Sequence, residues 1–183
     1  VSSTAATDSI FVTTTIDTKQ NRDVMTLDIP NAFVQTDVPQ KKGDKKIIMK
    51  IQGTLVEMLL KISPGTYKDY VVYDKGQKVL CVQMFKVLYG MMKASLLYYN
   101  KFRKDIEAEG YEVTPYDPCV ANKKLPCGKQ ITICWYVDDL KISSVNKDAV
   151  MGIIEKLEAR FGEMRKSFGK KHDYLGMEVE LCD

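Results

Sequence analysis

The run Cys134-Trp135-Tyr136-Val137-Asp138-Asp139-Leu140-Lys141-Ile142-Ser143 sets two adjacent carboxylates between two apolar stretches. Ile131, Ile133, Trp135 and Val137 alternate with Thr132, Cys134 and Tyr136, the period of a β-strand with one face fully buried. Leu140 and Ile142 resume the alternation after the acid pair. The two Asp residues therefore fall at the expected tip of a hairpin, exposed where a buried sheet surfaces. Two carboxylates on rigid backbone, joined by a third from elsewhere, could hold Mg²⁺ for phosphoryl or nucleotidyl transfer, since hard oxygen ligands match that ion and offset its charge. Turn chemistry explains an Asp pair equally well when these residues are taken alone, because Asp bonds its own backbone in turns.

A second acid of interest, Asp28, ends an apolar run that Pro30 prevents from continuing as a central strand. Alone it reads as an ordinary strand-end carboxylate. The elements that must position these groups are legible in the spacing of apolar residues. Strands are expected at about 24–29, 46–51, 79–84, 131–137, 140–144 and 174–180. A helix is expected from Leu88 to Glu109, with Leu88, Met92, Leu96, Tyr99, Phe102 and Ile106 on one stripe and Gly110 as its stop. A second runs from Lys147 to Phe161 behind Asn146 as N-cap, with Val150, Ile153, Ile154, Leu157 and Phe161 facing the core. Residues 53–76 read as a short helix and a surface excursion around Pro64, Gly65 and Gly76. Strands mixed with two helices imply an α+β domain, with helices packed on one face of a largely antiparallel sheet.

Composition narrows the function less. A chain of 183 residues can bury a sizeable core. Its 27 basic and 24 acidic residues leave a net charge of +3, too mild to announce a nucleic-acid binder. Lys41, Lys42, Lys45, Lys46 and Lys50 cluster near one turn, and Arg165, Lys166, Lys170, Lys171 and His172 near another; such runs are usually solvated faces. The five cysteines show no Cys-x-x-Cys spacing, so reduced and mostly buried thiols in an intracellular protein are expected. A single histidine, His172, rules out a two-histidine metal site and is expected as a satisfied surface imidazole. No apolar stretch approaches a membrane span, so no membrane partner is expected.

Tyr136-Val137-Asp138-Asp139 between two apolar strands resembles the catalytic hairpin of reverse transcriptases, and other segments resemble the copia-type retrotransposon branch in order. Thr26-Leu27-Asp28-Ile29-Pro30-Asn31-Ala32-Phe33 is similar to that family's first catalytic segment, and Leu88-Tyr89-Gly90 to its nucleotide-pocket segment. Tyr116-Asp117-Pro118-Cys119-Val120 is similar to the stretch before the hairpin, and Asp173-Tyr174-Leu175-Gly176-Met177-Glu178-Val179 to the strand near the primer end. The specificity lies in the ordered set, which spans about residues 5 to 180. The resemblance implies a polymerase palm with part of the fingers in a single domain over 1–183, and an RNA-directed DNA polymerase using two Mg²⁺ ions, with Mn²⁺ as a substitute. It implies that Asp28 and Asp138 bridge the metals while Asp139 assists at the primer hydroxyl. It further implies that Phe33 lies under the deoxyribose, that Tyr136 and Val137 line the hairpin, and that Leu175, Gly176 and Met177 contact the primer. Phe33 as core, and Tyr136 and Val137 as sheet packing, are the plain alternatives. Partners would be an RNA or DNA template with primer, dNTPs and other parts of the retrotransposon polyprotein. The compartment would be cytoplasmic, in virus-like particles, or nuclear. For 10–16 the β-branched residues favour strand while the resemblance implies helix, and helix is the expectation adopted.

Two departures from the family bear on activity. Its helix opening usually carries Gln, Pro and Arg where this chain has Lys93, Ser95 and Leu96, which alters the contact expected from Lys93 to nucleotide or template. Only 27 residues precede Asp28, short for a basic fingers segment, and no thumb, connection or ribonuclease H is expected after Glu180. The alternatives to an active polymerase domain are a silent retrotransposon remnant serving as a binding module, or another Mg²⁺-dependent phosphoryl-transfer enzyme.

Overall fold

The computed structural model describes residues 3–40, 43 and 45–182; Lys41 and Lys42 of the first basic cluster lie outside them. In chain order the elements are α1 (Thr7–Lys19), β1 (Asp23–Asp28), β2 (Ile48–Gln52), α2 (Thr54–Ile62), α3 (Pro64–Tyr67), β3 (Val71–Asp74) and β4 (Gln77–Gln83). They continue with α4 (Ala94–Ala108), β5 (Glu112–Val113), β6 (Val120–Lys124), β7 (Gln130–Tyr136), β8 (Asp139–Ser144), α5 (Lys147–Phe161), β9 (Arg165–Phe168), β10 (Lys171–Tyr174) and β11 (Met177–Glu180). Two compact units result: the described residues up to Thr36 together with those from Leu88, and Asp37–Val87 between them. The smaller unit is the antiparallel sheet β2-β4-β3 with α2 against it, cored by Val56, Val79 and Leu80.

The larger unit holds a six-stranded sheet in the order β5-β6-β7-β8-β1-β9, every neighbouring pair antiparallel. Tyr98, Tyr99, Phe102 and Ile106 of α4 and Val150, Ile153, Ile154, Leu157 and Phe161 of α5 are buried in one cluster with Ile131, Ile133, Trp135, Leu140 and Ile142 of the sheet. Trp135 stacks on Tyr99 and meets Phe102 edge-on. The α+β class and this helical face are as expected. The opposite sheet face is covered as well, since Asp17 of α1 pairs with Lys141 of β8 and Tyr174 of β10 donates to the Cys134 carbonyl. For that reason β7 is buried from Ile131 through Cys134 and Trp135 on both faces, where the alternation predicts one.

Helix α1 forms despite its β-branched residues. Thr13, Thr15 and Thr18 donate back to the carbonyls of Ile10, Phe11 and Thr14, so hydroxyls that would compete with the helix are satisfied within it. Helix α5 has the expected bounds, and the Asn146 side chain accepts from the Ala149 N–H as the expected cap, worth about 1 kcal/mol. Helix α4 begins at Ala94, not Leu88. Gly90 sits at φ +91°, outside the right-handed helical region, and Leu88 to Met92 form turns that leave Met92 fully exposed. The strand expected over 174–180 is instead the hairpin β10–β11, because Leu175 and Gly176 both take positive φ and fold a two-residue turn. Strands β3, β5, β6, β9 and β10 were not legible, β3 lying in the stretch read as a surface excursion.

Two further expectations are corrected. His172 is buried, not at the surface: its Nδ1 lies 3.2 Å from the Thr26 hydroxyl and its Nε2 2.8 Å from the Gly169 carbonyl, tying β10 to β1. Only Cys119 and Cys134 of the five free thiols are buried, with Cys81, Cys127 and Cys182 exposed. Burial pushes the thiol of Cys119 up to about 12 and that of Cys134 up to about 11, so neither is a reactive thiolate at neutral pH. No described helix is long and apolar enough to cross a membrane.

Candidate active site

Strands β1 and β8 are hydrogen-bonded neighbours whose register sets Asp28 opposite Asp139, and the Ile29 N–H donates to the Asp138 carbonyl at 3.0 Å. Asp28 and the adjacent pair Asp138-Asp139, distant from it in sequence, thus sit at the same end of two central strands. The turn joining β7 to β8 is Val137-Asp138, and Val137 takes φ +56°. A β-branched residue in the left-handed region costs of order 1–3 kcal/mol, a strain held by the strands on either side. The acids are half-buried rather than exposed at a tip. Burial, with the charge of Asp28 adding to it, holds the Asp138 carboxyl above the ordinary range against an opposing backbone hydrogen bond. For Asp139 burial comes first and the charges of Asp138 and Asp28 follow.

The donor set is chemically suited to a hard divalent cation: oxygen-only ligands whose mutual repulsion a cation would relieve. As the side chains stand, no three acidic, thiol or imidazole groups among the described residues converge closely enough to hold an ion.

On one side of the acids lies an open cavity of about 780 Å³, lined by Phe33, Tyr89, Ala94, Ser95, Tyr136, Val137, Asp138 and Asp139 among others. Phe33 is carried on the loop after Asp28, which Gln35 anchors by donating to the Pro30 carbonyl at 2.8 Å and the Phe161 carbonyl at 2.6 Å. Its ring meets Tyr89 at 5.7 Å, tilted, and Tyr98 at 5.9 Å, edge-on, so it is both a cavity wall and an inner member of the aromatic series Tyr89, Phe33, Tyr98 and Phe102. Lys93 is exposed at the N-cap of α4 and is not among the residues lining this cavity. On the other side a cleft of about 190 Å³ is lined by Asp28, Asp139, Arg165, Lys166, Asp173 and Tyr174 among others. Leu175, Gly176 and Met177 are the turn and first strand residue of the adjoining hairpin, next to Tyr174 but not lining the cleft.

Sequence reasoning missed three residues here. Arg165 lies opposite Asp28 in the β1–β9 register. No periodicity marks a four-residue exposed edge strand such as β9. Tyr89 and Tyr98 join Phe33 only through tertiary packing, although Tyr89 stands in the segment that resembles the family's nucleotide pocket. Lys166, by contrast, is spoken for by both carboxylate oxygens of Glu158, at 2.8 and 2.9 Å.

The sequence profile of the family described as reverse transcriptase (RNA-dependent DNA polymerase) matches residues 1–182. The Retrovirus-related Pol polyprotein from transposon TNT 1-94 of Nicotiana tabacum is 35% identical over 109 residues, covering 57% of this chain and 8% of that protein. Among solved structures, apo telomerase from Candida tropicalis, truncated from its C-terminal domain, aligns with 98% of this chain and 39% of its own at 14% identity and a TM-score of 0.48. Telomerase from Candida albicans with a TWJ fragment of telomeric RNA aligns with 98% and 34% at 10% identity and the same score. With the profile matched across nearly its whole length, the chain belongs to the reverse transcriptase family, in the copia-type retrotransposon branch whose motifs it carries.

Proposed function

We propose that this chain is the palm and part of the fingers of an RNA-directed DNA polymerase within a retrotransposon Pol polyprotein. It would transfer nucleotides from dNTPs to a primer 3′-hydroxyl on an RNA or DNA template. The observation that carries this reading is the β1–β8 register, which gathers Asp28, Asp138 and Asp139 beside a cavity of nucleotide size. These three carboxylates would hold divalent cations, Mg²⁺ or Mn²⁺, which when bound lower the pKa of the attacking hydroxyl and offset triphosphate charge. The protein's part is positioning: strands paired on both sides keep the acids in register, Phe33 offers a ring face beneath a sugar, and Tyr136 and Val137 fix the turn. Leu175 to Met177 would steady the primer from the hairpin tip. The compartment implied is the cytoplasm, a virus-like particle or the nucleus.

Thermal unfolding with and without Mn²⁺ tests the metal site. A ligand bound only by the folded state adds about 2.7 kcal/mol at a hundred times its Kd, a rise of several degrees in Tm for a chain of this size. Wild type is expected to show that rise and Asp138→Asn to lose it. No rise in wild type, or an equal one in the variant, would remove the three acids from metal binding.

A further inference from the structure

Three charged residues stand in one row across neighbouring strands: Asp139 of β8 lies opposite Asp28 of β1, and Asp28 in turn lies opposite Arg165 of β9. Residues directly opposite one another on antiparallel strands share a face of the sheet, with Cβ atoms about 4.5–5.5 Å apart. All three line the same cleft of about 190 Å³. The row therefore reads minus, minus, plus, and its cation stands on the exposed edge strand. Neither the Arg165 guanidinium nor the Asp28 carboxylate makes a hydrogen bond or ion pair among the described residues. The other charged groups of the cleft are placed differently. Lys166 gives its ammonium to both carboxylate oxygens of Glu158, and Asp173 lies on β10, outside a ladder in which β9 pairs with β1 alone.

We propose that Arg165 is the resident counter-cation of the carboxylate row: without a divalent ion its guanidinium pairs with Asp28, and an arriving ion takes the carboxylate by displacing it. This rests on the three-carboxylate reading above. The long arginine side chain spans the gap between opposite residues without backbone movement. Such a pair, open to water on one side, is only weakly stabilising by itself. Its larger effect falls on the ion, because the charge that steadies Asp28 also repels a dication at the same oxygens. Arg165 thus sets the metal concentration at which the acids are filled, and offsets their mutual repulsion when they are not.

Tm is to be followed across a Mn²⁺ titration at fixed ionic strength for wild type, Arg165→Gln, Lys166→Gln, Asp28→Asn and the Arg165→Gln, Asp28→Asn double variant. Arg165→Gln is expected to lower the Mn²⁺ concentration that gives half the maximal stabilisation by roughly three- to tenfold. Lys166→Gln removes the same charge from the next residue and is expected to leave that midpoint within about twofold, its ammonium being neutralised by Glu158 and screened by salt. Without metal, Arg165→Gln is expected to lower Tm by about 1–3 °C in the wild-type background and by nothing measurable beside Asp28→Asn. A midpoint unchanged or raised in Arg165→Gln overturns the proposal, as does a fall that Lys166→Gln reproduces, which would be the effect of net charge alone. Equal metal-free losses in the two backgrounds overturn the pairing with Asp28. A wild type indifferent to Mn²⁺ fails the carboxylate reading instead, and the metal-free cycle then decides the pair by itself.

Discussion

Asp17→Ala is expected to destabilise the protein by about 3–5 kcal/mol, because it strands buried positive charge. Asp17 is 1% exposed, and the side chains of its partners Lys141 and Arg22 are 3% and 4% exposed. Lys141 bonds one carboxylate oxygen directly, whereas Arg22 stands 3.9 Å from the other and spends its donors on Gln20 at 2.9 Å and Thr132 at 3.0 Å. Burial lowers the pKa of Arg22, and Asp17 opposes that shift. Deleting the single anion leaves two cations in a closed space, with Lys141 on the strand that carries Asp139. In a cycle built on Asp17→Leu and Lys141→Met, the double variant should recover part of the loss seen in Asp17→Leu alone, since it removes one of the two stranded cations but leaves Arg22 without its anion. Urea unfolding of the four members of the cycle measures the coupling, with unchanged m-values required for the comparison. A loss under about 1 kcal/mol for Asp17→Ala, the size typical of a surface pair, would show that water reaches the network in solution.

That network also marks where sequence reading stops. Lys141 sits in an apolar alternation and could be read as an exposed residue on a strand, yet it is buried because α1 brings an acid to it from far along the chain. The β7–β8 hairpin and α5 were legible because their information is local: alternation of two, a stripe at three and four, an Asn cap. Helix α4 was overextended because apolar spacing continued through Leu88 and Met92, while the conformation of one residue, Gly90, overruled it. The 174–180 segment failed in a similar way, its alternation unbroken across a turn that Leu175 makes at positive φ. At the site, the acids could be named from motif order, but Tyr98, Tyr89 and Arg165 reach it by packing and sheet register, neither of which leaves a local pattern. His172 shows the same limit, a basic neighbourhood in sequence that becomes a buried tie to Thr26 in the fold.

Primer extension on an RNA template with dNTPs and Mg²⁺ should be lowered by about 10²–10³-fold or more in Asp138→Asn and in Asp28→Asn, the scale seen when one preorganised electrostatic contributor is removed. Asn keeps the shape of each side chain and removes its charge, so the fold should survive; relief of the repulsion that Asp28 exerts on Asp138 should leave the metal-free variants at least as stable as wild type. The double variant is expected to extend no more slowly than the worse single one by any large factor, because groups that act as one unit lose their function together. Asp148→Asn, an exposed acid in the first turn of α5, serves as the control and should leave the rate unchanged. Single-turnover conditions with protein in excess make slow extension measurable. Losses in the two single variants that multiply in the double would mean that Asp28 and Asp138 act independently, against a shared metal site. Extension within about threefold of wild type in Asp138→Asn, a difference worth less than 1 kcal/mol, would exclude that carboxylate from the chemistry. A wild type that extends nothing while Mn²⁺ still raises its Tm would place the deficit outside the carboxylates, in the contacts that hold template, primer or triphosphate.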